Sequence, residues 1–222
     1  MNLMNLISNI PALIVNAVIT LIALTGHELG HAWVSTKLGD PTPRMEGRLT
    51  INPLAHLDIV GTILMILTGF GWAKPVGINP AYYKDRKKGT ALTAAAGPLS
   101  NLIMSFAVLL LYYIYAVIAI KTGFAIGSMA LISSLVSTFV VRNLCFMVFN
   151  LIPIPPLDGS KVLGIFLPDR YYYTMLRYER YCMILIMVLS LMGVFGNVIG
   201  TGVNIIFSAL TGMLDHVFNL VI

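Results

Sequence analysis

The sequence predicts an all-α polytopic membrane protein, with four to six transmembrane helices and a re-entrant or β-hairpin segment after the first. Two compositional facts and one pattern carry this expectation. Of the 222 residues, 58% are hydrophobic and 10% are charged, whereas a soluble domain carries about 25% charged residues. The mean hydropathy is +0.87. Apolar runs long enough to cross a hydrocarbon layer of roughly 30 Å recur along the chain, separated by short basic or turn-rich stretches.

The first element is a helix over residues 11–38. Pro11 follows Ser8 and Asn9 as a helix start, and Gly39 follows Leu38 as a stop. At 1.5 Å per residue such a helix runs roughly 42 Å, so its far end must emerge into a headgroup layer. The run is long and has no basic segment before it, so a cleaved leader is not expected.

Residues 40–89 do not read as a simple span. The stretch 44–51, R-M-E-G-R-L-T-I, alternates polar and apolar residues with period two, which predicts a half-buried strand. Residues 56–72 are apolar but short and interrupted by glycines, and a basic, turn-rich segment follows. The second long helix covers 90–120 and opens through T-A-A-A-G-P-L-S-N-L, where Gly97, Pro98 and Asn101 are expected to allow close helix packing or to shape the entry to the span, with contact between Asn101 and the functional site as the lesser alternative. A third covers 128–150 and runs directly into L-I-P-I-P-P-L-D-G. Residues 160–180 are basic and tyrosine-rich, as at an interface, and helices over 181–200 and 202–222 complete the single transmembrane domain.

Charge sets the expected orientation. Lys74, Lys84, Arg86, Lys87 and Lys88 precede the second long helix, and Lys161, Arg170, Arg177 and Arg180 follow the third. Both groups belong on the cytoplasmic side, which puts the amino terminus outside. For this to close, residues 56–72 must enter and leave the membrane on one side. The net charge of +5 is scattered between apolar spans, so topology explains it and a nucleic-acid partner is not expected. Cys145 and Cys182 have no C-x-x-C spacing and read as small buried thiols.

One constellation stands out against this apolar background. Residues 27–31 read H-E-L-G-H near the end of the first helix. His27 and His31, four apart, share a helix face about one turn apart. Two imidazoles so placed can reach one Zn²⁺ while Glu28 addresses a water on it. At this composition the pattern arises by chance about once in a thousand such chains. Two histidines and a glutamate at membrane depth are also costly unless they face the interior with a partner.

A catalytic zinc takes three protein ligands and keeps one position open. Six residues beyond His31, where one class of zinc proteases places its third ligand, this chain has Lys37. The remaining choices are Glu46, His56, Asp58, Asp158 and the pair Asp215 and His216. Topology favours Asp158, because the first and third helices both run from outside to inside and so bring H-E-L-G-H and L-D-G to one membrane face. Prolines 153, 155 and 156 stop the third helix and leave extended chain close to that face.

These residues also carry a resemblance. H-E-L-G-H on an early helix, followed by N-L-I-P-I-P-P-L-D-G after a later one, resembles the site-2 protease family, peptidase family M50. The family's pattern N-x-x-P-x-P-x-L-D-G is matched by Asn150, Pro153, Pro155, Leu157, Asp158 and Gly159. The stretches G-R-L-T-I-N-P-L-A-H-L-D, G-W-A-K-P-V and A-G-P-L-S-N are similar to small prokaryotic members. The resemblance implies one zinc ion per chain held by His27, His31 and Asp158, with Glu28 as catalytic acid and base. It implies that Asn150 binds the substrate or its oxyanion. It further implies an endopeptidase of a prokaryotic inner membrane, acting on transmembrane protein substrates near the cytoplasmic face. Members often carry PDZ or CBS domains, for which these 222 residues leave no room.

Two other functions fit an apolar chain with buried polar groups: a transporter or channel, and a non-catalytic scaffold of the same fold. The first predicts acids spread along several helices. Here they gather at two helix ends, and Glu28 with all three proposed ligands is present.

Overall fold

The computed structural model describes residues 3–58, 61, 74–123 and 125–218. Among these every regular element is a helix. Helix α1 spans Leu3–Lys37, a short α2 spans Thr42–Met45, and α3 spans Arg86–Thr122. Then come α4 (Met129–Asn150), α5 (Asp158–Gly164), α6 (Asp169–Arg177), α7 (Glu179–Leu191) and α8 (Gly196–Phe218). Four stretches, Ile10–Lys37, Arg86–Thr122, Ile126–Asn150 and Gly196–Phe218, are long and apolar enough to cross a membrane. The chain is an integral membrane protein.

The bundle is built by two kinds of contact. Helices α3, α4 and α8 enclose an apolar core of Leu109, Val140, Leu144, Val203 and Leu214. Helices α1 and α3 instead meet through small residues. Ala23, Ala32, Ala94 and Ala96 are buried, and a Cβ on Gly30 would lie 2.7 Å from the Ala96 carbonyl oxygen. Without a hydrophobic drive between helices in lipid, such close backbone approach supplies the packing.

Three expectations change. Residues 44–51 form no strand: Arg44 and Met45 end the helical turn α2, and bends follow. Pro43 lies inside the first turn of α2, where a missing N–H costs nothing, and Gly47 takes φ +67° two residues beyond its end. With no second strand among the described residues to pair with, the alternating pattern has no ladder to join. The first helix begins before Pro11, which it holds in its interior. The helix expected over 181–200 stops at Leu191, where Gly193 adopts φ +74°, so α7 has 13 residues and reaches about 20 Å, short of a span. The re-entrant segment expected at 56–72 lies mostly outside the described residues.

A polar network ties the end of α1 to the loops. Asp40, fully buried, accepts from Ser35 Oγ at 2.8 Å, the Asn79 amide at 2.8 Å and the Thr42 amide at 2.9 Å. Burial pushes its carboxyl up, but these bonds outweigh it and hold the group below the usual carboxylate range. The Tyr83 hydroxyl continues the network, bridging Ser35 Oγ at 2.8 Å and Thr93 Oγ1 at 3.0 Å.

Candidate metal centre

The i, i+4 spacing on α1 turns His27 and His31 toward α3, their rings 4.7 Å apart. Asp158 arrives from the other side. After α4 the chain cannot stay helical through Pro153, Pro155 and Pro156, and it folds back to start α5 at Asp158. Gly159 makes this return possible, since a Cβ there would lie 2.2 Å from the Leu151 carbonyl oxygen.

Three atoms then converge. His27 Nε2 and His31 Nε2 are 3.1 Å apart, and Asp158 Oδ2 lies 3.1 Å from the first and 3.2 Å from the second. All three residues are at most 7% exposed. Around a tetrahedral zinc, with ligands at about 2.0–2.1 Å, neighbouring ligand atoms are about 3.3–3.4 Å apart. The triangle is close to that size.

The protonation pattern fits as well. His31 Nδ1 lies 2.7 Å from the Thr93 carbonyl oxygen, which can only accept, so Nδ1 carries the proton. His27 Nδ1 lies 2.7 Å from Asn101 Oδ1. In the neutral rings both Nε2 atoms therefore present lone pairs to each other and to a carboxylate. Such a meeting of acceptors is repulsive unless a positive charge enters it. Asp158 shows the same demand. Burial pushes its carboxyl up, and only positive charge at the meeting point, on an imidazole or on an ion, holds it below the ordinary range.

Glu28, 9% exposed, lines the same cavity, and its Oε2 accepts from the Val76 amide at 3.2 Å. The cavity holds about 880 Å³ and is otherwise mostly apolar, with Phe149, Met183 and Met187 among its walls. That is room for several residues of a peptide. Asn150 also lines it, while its own Nδ2 donates to the Phe146 carbonyl at 3.0 Å.

The alternative ligands that the sequence offered are engaged elsewhere, while Glu179 joins the cavity wall without joining the triangle. Glu46 accepts from the Gly77 amide, His56 Nε2 meets the Thr50 carbonyl, Asp58 accepts from the Gly61 amide and Asp215 accepts from Tyr113. Among the described residues, His27, His31 and Asp158 form the one group with metal-ligand spacing.

Sequence reasoning missed what surrounds the ligands. Asn101, read first as a packing residue and only second as a neighbour of the site, binds His27 directly. Gly97 packs against both imidazoles, and a Cβ there would lie 2.4 Å from His31 Nε2 and 2.7 Å from His27 Cε1. Asn143 raised no expectation, although an asparagine in the middle of an apolar helix is itself a signal, because its amide needs partners in lipid.

Comparison with known proteins bears on this geometry. Three relatives carry the name "Putative zinc metalloprotease". YwhC of Bacillus subtilis is 40% identical over 176 residues, 78% of this chain and 78% of its own length. Rip2 of Mycolicibacterium smegmatis is 32% identical over 64% of this chain and 53% of its own, and MJ0611 of Methanocaldococcus jannaschii is 31% identical over 62% of each. No family model and no solved structure matches the chain. The extent of the likeness to YwhC, joined to two histidines and an aspartate converging inside a membrane bundle, decides the assignment. The chain belongs to the site-2 protease-like family of zinc metalloproteases.

Proposed function

We propose that this chain is an intramembrane zinc endopeptidase that hydrolyses peptide bonds in or beside transmembrane segments of membrane-protein substrates. The observation that carries the reading is the convergence of His27 Nε2, His31 Nε2 and Asp158 Oδ2 within 3.2 Å of one another, beside Glu28, in an apolar cavity of a membrane-spanning bundle.

In this reading His27, His31 and Asp158 hold one zinc ion. A zinc ion there would supply a Lewis acid and would make the attacking water more acidic. Glu28 then takes a proton from the attacking water and delivers it to the leaving amine, and its bond to the Val76 amide fixes where that carboxylate points. Asn150, on the cavity wall at the end of α4, has a free carbonyl edge for the substrate backbone. The apolar walls suit an apolar segment in extended form, since helical carbonyls are already engaged and shielded. Lys161 on the cavity wall, in the basic segment that follows α4, supports a site near the cytoplasmic face.

The test compares purified wild type with Glu28→Gln and Asp158→Ala. Zinc content, and cleavage of substrates found by membrane proteomics of cells with and without Glu28→Gln, should separate the roles. Glu28→Gln should keep zinc and lose cleavage, while Asp158→Ala should lose both. Cleavage that survives Glu28→Gln would end the peptidase reading.

A further inference from the structure

Two asparagines sit fully buried among apolar residues of the bundle, Asn101 on α3 and Asn143 on α4. A buried amide without partners is costly, and more so at membrane depth. Both are hydrogen-bonded, and the bonds run in one direction. Asn143 Nδ2 donates to the Phe139 carbonyl at 2.9 Å, which turns its Oδ1 toward α3. That oxygen accepts from Asn101 Nδ2 at 2.8 Å, and the same nitrogen donates to the Ala23 carbonyl at 3.0 Å. Both amide hydrogens of Asn101 are thereby used. Its Oδ1 has one orientation left, toward His27 Nδ1 at 2.7 Å.

Resting on the metal-centre reading, we propose that Asn143, whose hydrogen bonds go to Asn101 and Phe139 and to none of the three ligands, acts through Asn101 to fix the proton of His27 on Nδ1 and so keep Nε2 free for the ion. Two backbone carbonyls anchor the chain of bonds, and a carbonyl cannot donate. Turning either amide over would set oxygen against oxygen. His31 needs no such device, because the Thr93 carbonyl meets its Nδ1 directly. Partners of this outer kind orient metal-binding histidines and raise their basicity. Asn143 and Asn101 are positioning residues. The device also ties α1, α3 and α4 into one register at the depth of the site.

The experiment uses the full chain, with histidine ¹⁵N-labelled and in metal-free form, together with zinc affinity by chelator competition. In wild type the His27 Nδ1–H proton should exchange slowly with solvent. Asn101→Leu and Asn143→Leu should both speed that exchange and leave the His31 Nδ1–H proton unchanged, which general loosening would not do. Zinc affinity should fall about 10- to 100-fold in Asn101→Leu and about 3- to 10-fold in Asn143→Leu. The double variant should bind no more weakly than Asn101→Leu alone, because Asn143 acts only through Asn101. Asn143→Asp, whose neutral carboxyl can still accept from Asn101 and donate to Phe139, should keep the protected proton, and it stands in if the leucine variant does not fold. An unchanged His27 proton in Asn143→Leu, losses that multiply in the double variant, or a lost proton in folded Asn143→Asp would each overturn the proposal. A wild type with the protected proton but no zinc binding would instead sink the metal-centre reading and leave the relay standing.

Discussion

Gly97 and His31 face each other across the α1–α3 contact so closely that a Cβ on the glycine would lie 2.4 Å from the ring's Cε1 and Nε2. No rotation of the histidine relieves this while its Nδ1 stays with the Thr93 carbonyl. Gly97→Ala should therefore push the imidazole off its position. Zinc content after purification should drop at least tenfold, while the circular dichroism spectrum keeps its helical form. Full zinc occupancy in Gly97→Ala would show that the contact is looser than described.

Removing the metal should lower stability as well as activity. A ligand that binds only the folded state stabilises it by about 2.7 kcal/mol at a free concentration a hundredfold above its dissociation constant. A chelator should lower the melting temperature of wild-type protein in detergent, and added zinc should restore it. In Asp158→Ala the same additions should leave the melting curve in place.

Asp40 predicts a pH dependence. Its folded-state carboxyl titrates below the ordinary value, so its stabilisation is present above about pH 3.9 and is lost as pH falls toward the folded value. Asp40→Asn should melt at a lower temperature than wild type near neutrality. The gap should close as the solution is acidified through the carboxylate range. A constant gap across that range would remove the charge from the explanation.

Tyr83 offers a milder test of the loop network. Its hydroxyl joins Ser35 to Thr93, the residue whose carbonyl holds His31. Tyr83→Phe leaves the ring and takes away both bonds; Ser35 keeps its bond to Asp40, while Thr93 loses its hydroxyl partner, at a cost of about 1–3 kcal/mol. Thermal melting should show that loss. Hydrolysis should fall less than in Gly97→Ala, because the carbonyl itself stays in place.

The sequence made the ligands legible for a specific reason. His27 and His31 announce themselves by helical periodicity, and Asp158 follows prolines that must end a helix on the same face. Both signals are local, and the topology joins them. What was illegible depends on partners distant in sequence. The alternation over 44–51 looks like a strand, but a strand exists only with a ladder, and Pro43 and Gly47 shape a helical turn and its end instead. Asn101 and Asn143 are 42 positions apart, on different helices, and nothing in either neighbourhood says that one amide will meet the other. The break after Leu191 rests on Gly193, one glycine among many in this chain.

Helix α4 holds Asn143 near its middle and leads, eight residues after its end, to Asp158. A ribosome delivers the two imidazoles first and the carboxylate 131 residues after His27. During synthesis, then, the histidine pair waits without its third ligand and without the far anchor of its proton. The anchor arrives on α4 and the carboxylate at the start of α5, just after it. On the proposed metal-centre reading, ion capture is then a late event in biogenesis, complete only once α4 and α5 have docked.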